Sequence, residues 1–348
     1  MSMMTSNRPL VASPLRFRST APHPDECVSS ALDRAAGLWG ISRREILRQM
    51  GYTIRPDKEI DGALAIPLLR SLAHAFNMDP ADLASRVVPR YRMRVLLAPR
   101  FRNAYCPLCF EADWLSGVTP YFRVDWARLW ATHCHVHASP LFEWVAVNGY
   151  GERRLPHAYY LSHDESVSLP TWIAVNLQEA RIWQLSDVPP GGAHDLWRAL
   201  MRVEQAWWRA GIGDPNDSST RGAQKDEDVF SRMAALFLAS RHAGQPCMAE
   251  TLHIPPHQHH IFGYDRRRQG RVAHDASSKM LRWRLPSIQA RRTVLLLVAH
   301  TFGRLNVGLR YETGAKLPVG QSPEWLTQIL NHQSDLKVAH RSWRTLVC

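Results

Sequence analysis

No apolar run in the sequence reaches the 18 or so residues that a membrane-spanning helix needs, and no membrane role is expected. There is no G-x4-G-K-S/T loop to cradle a nucleotide phosphate, no H-E-x-x-H pair and no G-x-S-x-G elbow. The acidic residues fall into no spacing that nominates three carboxylates for a catalytic Mg2+. These gaps argue against an enzyme. Cysteine is scarce, 6 in 348 residues, and its scatter follows no repeating framework. That usage fits a reducing cytosol, where thiols stay free to bind metal. The first residues lack the apolar core of a signal peptide, so a cytoplasmic location is expected. Negative charge is also in deficit, with 31 Asp and Glu against 43 Lys and Arg and a formal charge of +12. Arginine supplies nearly all of the excess, and its planar fork matches phosphate, so a polyanionic partner is expected.

What the chain does have is apolar bulk: 45% hydrophobic residues and 13 tryptophans, enough for two or three folded domains. After an extended, proline-bearing arm over residues 1–20, helical patterning begins near Asp25 and Glu26. Cys27, Ala31, Leu32, Ala35 and Leu38 form one stripe that ends between Gly37 and Gly40. Ser42 caps a second helix, with Glu45 completing an S-x-x-E capping box and Ile46, Leu47 and Met50 facing inward. Two short helices joined by a glycine turn resemble a helix-turn-helix, and Arg43, Arg44 and Arg48 on the second are candidate nucleic-acid contacts. A plain helical hairpin with a solvated arginine face is the competing reading. A second hairpin follows, with a helix to about Phe76, a turn over Asn77 to Asp79, and a helix opened by Pro80 and capped by Asp79. Arg90, Arg92 and Arg94 then begin a basic run that continues through Arg100 and Arg102. Residues 21–100 are read as one helical domain.

Between Tyr105 and Trp144, Cys106 and Cys109 make a C-x2-C pair, and Cys134 and His137 a C-x2-H pair. Two close pairs supply the four tetrahedral ligands of one structural Zn2+, with no position left for a reactive water. His133 and His135 flank Cys134 and keep the identity of the fourth ligand open. Trp126, Leu129 and Trp130 read as a helix face packed over the metal, within a zinc-binding subdomain spanning 101–148. The remainder, 149–348, reads as one helical domain or two small ones. Its helices are expected at 171–185, 195–211, 229–243, from Ser287, and from Ser322. A basic block at Arg266, Arg267 and Arg268 is a further candidate for nucleic acid or nucleoprotein. His257, His259 and His260 beside it are too irregularly spaced for a second metal, and a histidine-rich surface turn is expected there. The expected fold is mainly α: a helix-turn-helix-like N-terminal domain, a zinc-finger subdomain and a helical C-terminal domain.

The order of three elements over residues 10–145 resembles the TniQ family of transposition target-selection proteins, which includes TnsD-like proteins. The first is Pro24, Asp25, Glu26, Cys27, Val28, Ser29 and Ser30 followed by Asp33, Arg34 and Ala35, similar to the family's signature of a proline, a short gap and then E-S-x-x-S-x-x-x-R-x-A. The second is the Leu69 to Leu83 hairpin. The third is Tyr105, Cys106, Pro107, Leu108, Cys109 and Phe110, then Arg123 to Trp126, then Cys134 and His137. His135 stands where the family often has proline, and the C-x2-C pair that frequently follows is missing after Leu141.

The resemblance implies a bacterial, non-catalytic adaptor that links a target to an AAA+ transposition regulator and the transposase machinery. In some family members the target is a DNA site. In others it is an RNA-guided Cascade complex, where dimers sit near the Cas6 and Cas7 subunits. A site-specific transcriptional regulator is the alternative, and a metal-dependent DNA-processing enzyme a more distant one.

Overall fold

Small and branched aliphatic residues recur at helical spacing after Cys27, and the helix they build organises the first part of the chain. A computed structural model describes residues 21–52, 59–62, 64–87, 96–144 and 171–184. It also describes 198, 200–202, 204–205, 252–253, 288, 291–292, 294–295, 309–311 and 316–317. The chain is mainly helical. Among the described residues one compact unit comprises 21–87 with 113–124, and the other comprises 96–112, 125–144 and those from 171 onward. No described helix is long and apolar enough to cross a membrane.

In the first unit, α1 (Val28–Trp39) ends at Gly40, whose φ of 66° lets the Ile41 N–H return to the Ala36 carbonyl at 3.0 Å. Only glycine adopts that left-handed geometry without steric cost. The expected cap of α2 (Arg43–Gln49) is present, since Ser42 accepts the Glu45 N–H at 3.0 Å. The Glu45 carboxylate, expected to close the capping box, accepts from Arg48 at 2.7 and 2.8 Å and from Gln49 at 3.0 Å. An arginine one turn away offers two charge-assisted bonds, against the single neutral donor of a box. The second hairpin is as expected: α3 (Ile66–Ala75) turns at Asn77, φ 53°, and α4 (Pro80–Arg86) starts at Asp79, which accepts the Ala81 N–H at 2.7 Å. Leu32, Ile46, Leu47, Leu72, Phe76 and Leu83 meet in one core across the four helices. Each large side chain buried there contributes about 1.5–3 kcal/mol.

A charged network runs beneath that core. Glu26 is fully buried and its carboxylate accepts from the His23 N–H (3.0 Å), Ser30 Oγ (2.7 Å) and Arg34 Nε and Nη2 (2.9 and 2.7 Å). Asp61 takes the Ser29 N–H at 2.6 Å and its hydroxyl at 2.9 Å. Asp33 pairs with Arg43 at 2.9 Å. The stretch 113–124 joins this unit through backbone bonds: Cys27 N–H to the Phe122 carbonyl (2.9 Å) and Val124 N–H to the Asp25 carbonyl (2.8 Å). The Phe122 N–H reaches Ser30 Oγ at 2.9 Å. Arg123 ties the stretch down by pairing with Asp113 at 2.8 Å and Asp25 at 3.1 Å while lying over the Tyr121 ring. Glu26, Ser29, Ser30, Asp33 and Arg34 of the sequence signature are therefore buried polar residues that frame the unit.

In the second unit, β1 (Ala104–Tyr105) pairs with β4 (Phe142–Glu143), and β2 (His133–Cys134) with β3 (Ser139–Pro140), each antiparallel. Trp126, Leu129 and Trp130 are buried as expected. They do not lie on an α-helix: a 3-10 turn, Val124–Ala127, carries Trp126, and Leu129 and Trp130 follow it in a further turn. Further along come α6 (Thr171–Gln184) and helical positions at 198, 200–202, 204–205, 288, 291–292 and 294–295. A three-stranded antiparallel sheet of β5 (Leu252–His253), β6 (Leu309–Tyr311) and β7 (Lys316–Leu317) is an element that the helical periodicity of this region did not signal. The helices expected at 229–243 and from Ser322, and the turn of His257, His259 and His260, lie outside the described residues.

Replacing Arg34 by methionine strands the Glu26 carboxylate in an apolar setting. In urea unfolding this is expected to cost about 3–5 kcal/mol. A loss under about 1 kcal/mol would mean that water solvates the carboxylate and that the pair is not a structural keystone.

Candidate metal centre

Each ligand pair sits where a strand ends. Cys106 follows β1, and Pro107, suited to a first helical turn, opens α5 (Pro107–Leu115) so that Cys109 lies one turn on. Cys134 closes β2, and the turn to β3 carries His137 and then Ala138 at φ 49°. The four ligand atoms lie within 4.8 Å of one another. His137 Nδ1 stands 3.6 Å from Cys106 Sγ, 3.3 Å from Cys109 Sγ and 3.8 Å from Cys134 Sγ, and the Cys109 and Cys134 sulfurs are 3.6 Å apart. A tetrahedron with Zn–S bonds of about 2.3 Å and Zn–N bonds of about 2.0 Å has edges of about 3.5–3.8 Å. The residues therefore fit one structural Zn2+ in a Cys3His set.

The chemistry of the donor set points the same way. All three cysteines are buried, and burial pushes the Cys106 thiol up to about 12. Three sulfurs in contact cannot share negative charge without a cation among them, and a bound metal supplies it. Ser139, fully buried, places its hydroxyl 3.4 Å from Cys106 Sγ, where it can donate to the thiolate. Such outer hydrogen bonds orient ligands and tune affinity. Nothing in the spacing of the sequence had marked Ser139, since it becomes a neighbour of Cys106 only when β2 pairs with β3.

The open question of the fourth ligand closes on His137. His133 is buried elsewhere, with Nδ1 2.7 Å from Glu204. Burial works against its protonation, but the Glu204 carboxylate outweighs this and raises its pKa. His135 points toward solvent, 3.6 Å from Asp125. Residues next to the first ligand pair belong to an aromatic cluster: Tyr105, Phe110 and Trp144 meet at centroid distances of 4.9 to 5.8 Å, and Trp126 lies 5.9 Å from Phe110.

Residues 17–141 match the family model described as TniQ. This stretch is a TniQ-family domain. It holds the whole Glu26 network up to Asp61 and all four members of the Cys3His cluster. No curated protein and no solved structure matches the chain significantly. The TniQ match supports a general role in target selection during transposition.

The candidate basic contacts are placed unevenly. Arg43 is buried against Asp33 and the Ser29 carbonyl, which withdraws it from any phosphate. Arg44 and Arg48 are exposed on α2, Arg48 in its pair with Glu45. Arg102, at the end of the basic run, also turns inward and donates to the Leu97 carbonyl at 2.8 Å. Arg90, Arg92, Arg94, Arg266, Arg267 and Arg268 lie outside the described residues.

His137→Ala is expected to abolish zinc retention through gel filtration, whereas His135→Ala retains about one ion per chain. The reverse pattern would move the fourth ligand to His135. Binding displaces up to three thiol protons, so acidification should weaken apparent affinity about tenfold per pH unit for each proton displaced. A titration of zinc release from pH 7.5 to 5 reads this directly. A flat profile would contradict thiolate ligation.

Proposed function

We propose that the protein is a non-catalytic adaptor in DNA transposition, linking a chosen target to an AAA+ regulator and through it to the transposase. The observation that carries this reading is the TniQ match over residues 17–141. Two features support it. A metal set of four protein ligands has no coordination position for substrate or water, so its natural role is to hold a fold together. The formal charge of +12 suits work beside nucleic acid or a nucleoprotein.

The target is a DNA site or an RNA-guided Cascade complex, approached near its Cas6 and Cas7 subunits, with the adaptor as monomer or homodimer. On the α1–α2 hairpin, read as helix-turn-helix-like, Arg44 and Arg48 are the exposed cations that would meet phosphate. Arg90, Arg92, Arg94, Arg266, Arg267 and Arg268 are proposed to add to the same electrostatic attraction. The adaptor would act in the bacterial cytoplasm.

Partners captured from native cells with the full chain as bait should include an AAA+ ATPase and a transposase. If the ribonucleoprotein is the target, its subunits should co-purify and binding to naked DNA should be weak. If a DNA site is the target, binding should be sequence-selective and should fall steeply with salt. Recovery of neither ATPase nor transposase, together with sequence-selective promoter binding, would favour a transcriptional regulator. Metal-dependent strand cleavage by the purified chain would overturn the non-catalytic reading.

A further inference from the structure

The TniQ match ends at residue 141, yet the hairpin that carries Cys134 and His137 is finished by side chains far downstream. Strands β2 and β3 are two residues each, and side chains from far downstream bond to the backbone beside them. Glu204, itself buried, accepts the Thr132 N–H on both oxygens at 3.1 Å and the Thr132 hydroxyl at 2.5 Å. One of those oxygens also lies 2.7 Å from His133 Nδ1. Arg291 donates to the Ala131 carbonyl at 2.7 Å, and Arg292 to the Leu141 carbonyl at 2.5 Å, with longer contacts to Arg128 and Thr132. Both arginines are almost wholly buried. Burial draws Arg291 down to about 10 and, with its neighbour's charge added, Arg292 to about 9, so both stay cationic at neutral pH. On β4, Glu143 accepts the Ile288 N–H at 2.6 Å.

We propose that Glu204, Arg291 and Arg292 are positioning residues of the zinc site, so that metal loading and docking of the downstream chain onto the β2–β3 hairpin form one linked equilibrium. The physical basis is reciprocal. The carbonyls of Ala131 and Leu141 and the N–H of Thr132 converge on their partners only when the hairpin is formed. The metal forms it by joining Cys134 and His137 to the first ligand pair. Conversely, three buried ionic side chains fix the strands before the metal arrives, and a two-residue hairpin has little stability of its own. Linkage requires each event to strengthen the other by the same factor. It follows that the TniQ domain of this chain is completed by residues outside the matched stretch.

The test uses the full chain in two ways. Hydrogen exchange of the wild-type protein is followed with zinc bound and after chelation. Exchange at 198–205 and 288–295 is expected to accelerate more than tenfold on chelation while α1 stays protected. Unchanged exchange in those segments, or an equal rise in α1, overturns the proposal. Cobalt titration, read by the thiolate-to-cobalt charge-transfer band, then compares wild type with Glu204→Gln and Arg292→Met. A loss in cobalt affinity of about 10- to 100-fold is expected, the range found for outer-shell partners. Arg292→Lys should recover part of it. Wild-type affinity in both variants, or no recovery by lysine, overturns the positioning role. Should either variant fail to fold, the wild-type exchange experiment still decides.

Discussion

Closure of three thiolates and one imidazole around a single cation is the constraint on which the second unit depends. Strands β1 to β4 are two residues long, so backbone pairing alone would not hold Tyr105, Phe110, Trp126 and Trp144 together. With the metal as a fixed point, α5 starts at a defined place and the hairpin has a defined register. The aromatic residues then bury without a larger core. Small domains that cannot bury enough apolar surface use metals in this way. The cost of gathering three sulfurs becomes a gain only when the ion is present, which is why the site acts as a fold determinant.

The first unit solves the same problem of size by a different route. It buries charge in pairs, Glu26 with Arg34 and Asp33 with Arg43, and hangs the 113–124 stretch on α1 through Ser30 and the backbone of Phe122. Buried pairs are weak contributors to net stability, but breaking one is costly, so they penalise alternative registers. The signature residues Glu26, Ser30 and Arg34 thus serve to define the fold. Arg44 and Arg48, by contrast, face outward from α2.

Features set by local spacing were legible in the sequence. The two ligand pairs, the Ser42 and Asp79 caps, the Asn77 turn and the glycine stop of α1 each depend on residues within one or two turns. Choices among near neighbours were not legible: His133, His135 and His137 follow one another at two-residue spacing along a strand and its turn, and only the hairpin register turns one of them toward the sulfurs. Arg43 looked like part of a basic face because its acceptor, Asp33, lies on another helix. Ser139, Glu204, Arg291 and Arg292 were invisible for the same reason, being joined to the centre by pairings distant in sequence. The sheet of β5, β6 and β7 escaped because strands of two or three residues carry almost no periodic signal.

If the metal folds the Cys3His region, tryptophan emission should respond to its removal, since Trp126, Trp130 and Trp144 are buried in the same unit as the four ligands. Thermal unfolding followed by this emission should show a cooperative transition in the zinc-loaded protein. After chelation the starting emission should be red-shifted and the transition broadened or lost. Identical emission and an unchanged melting temperature in the zinc-free protein would contradict the account.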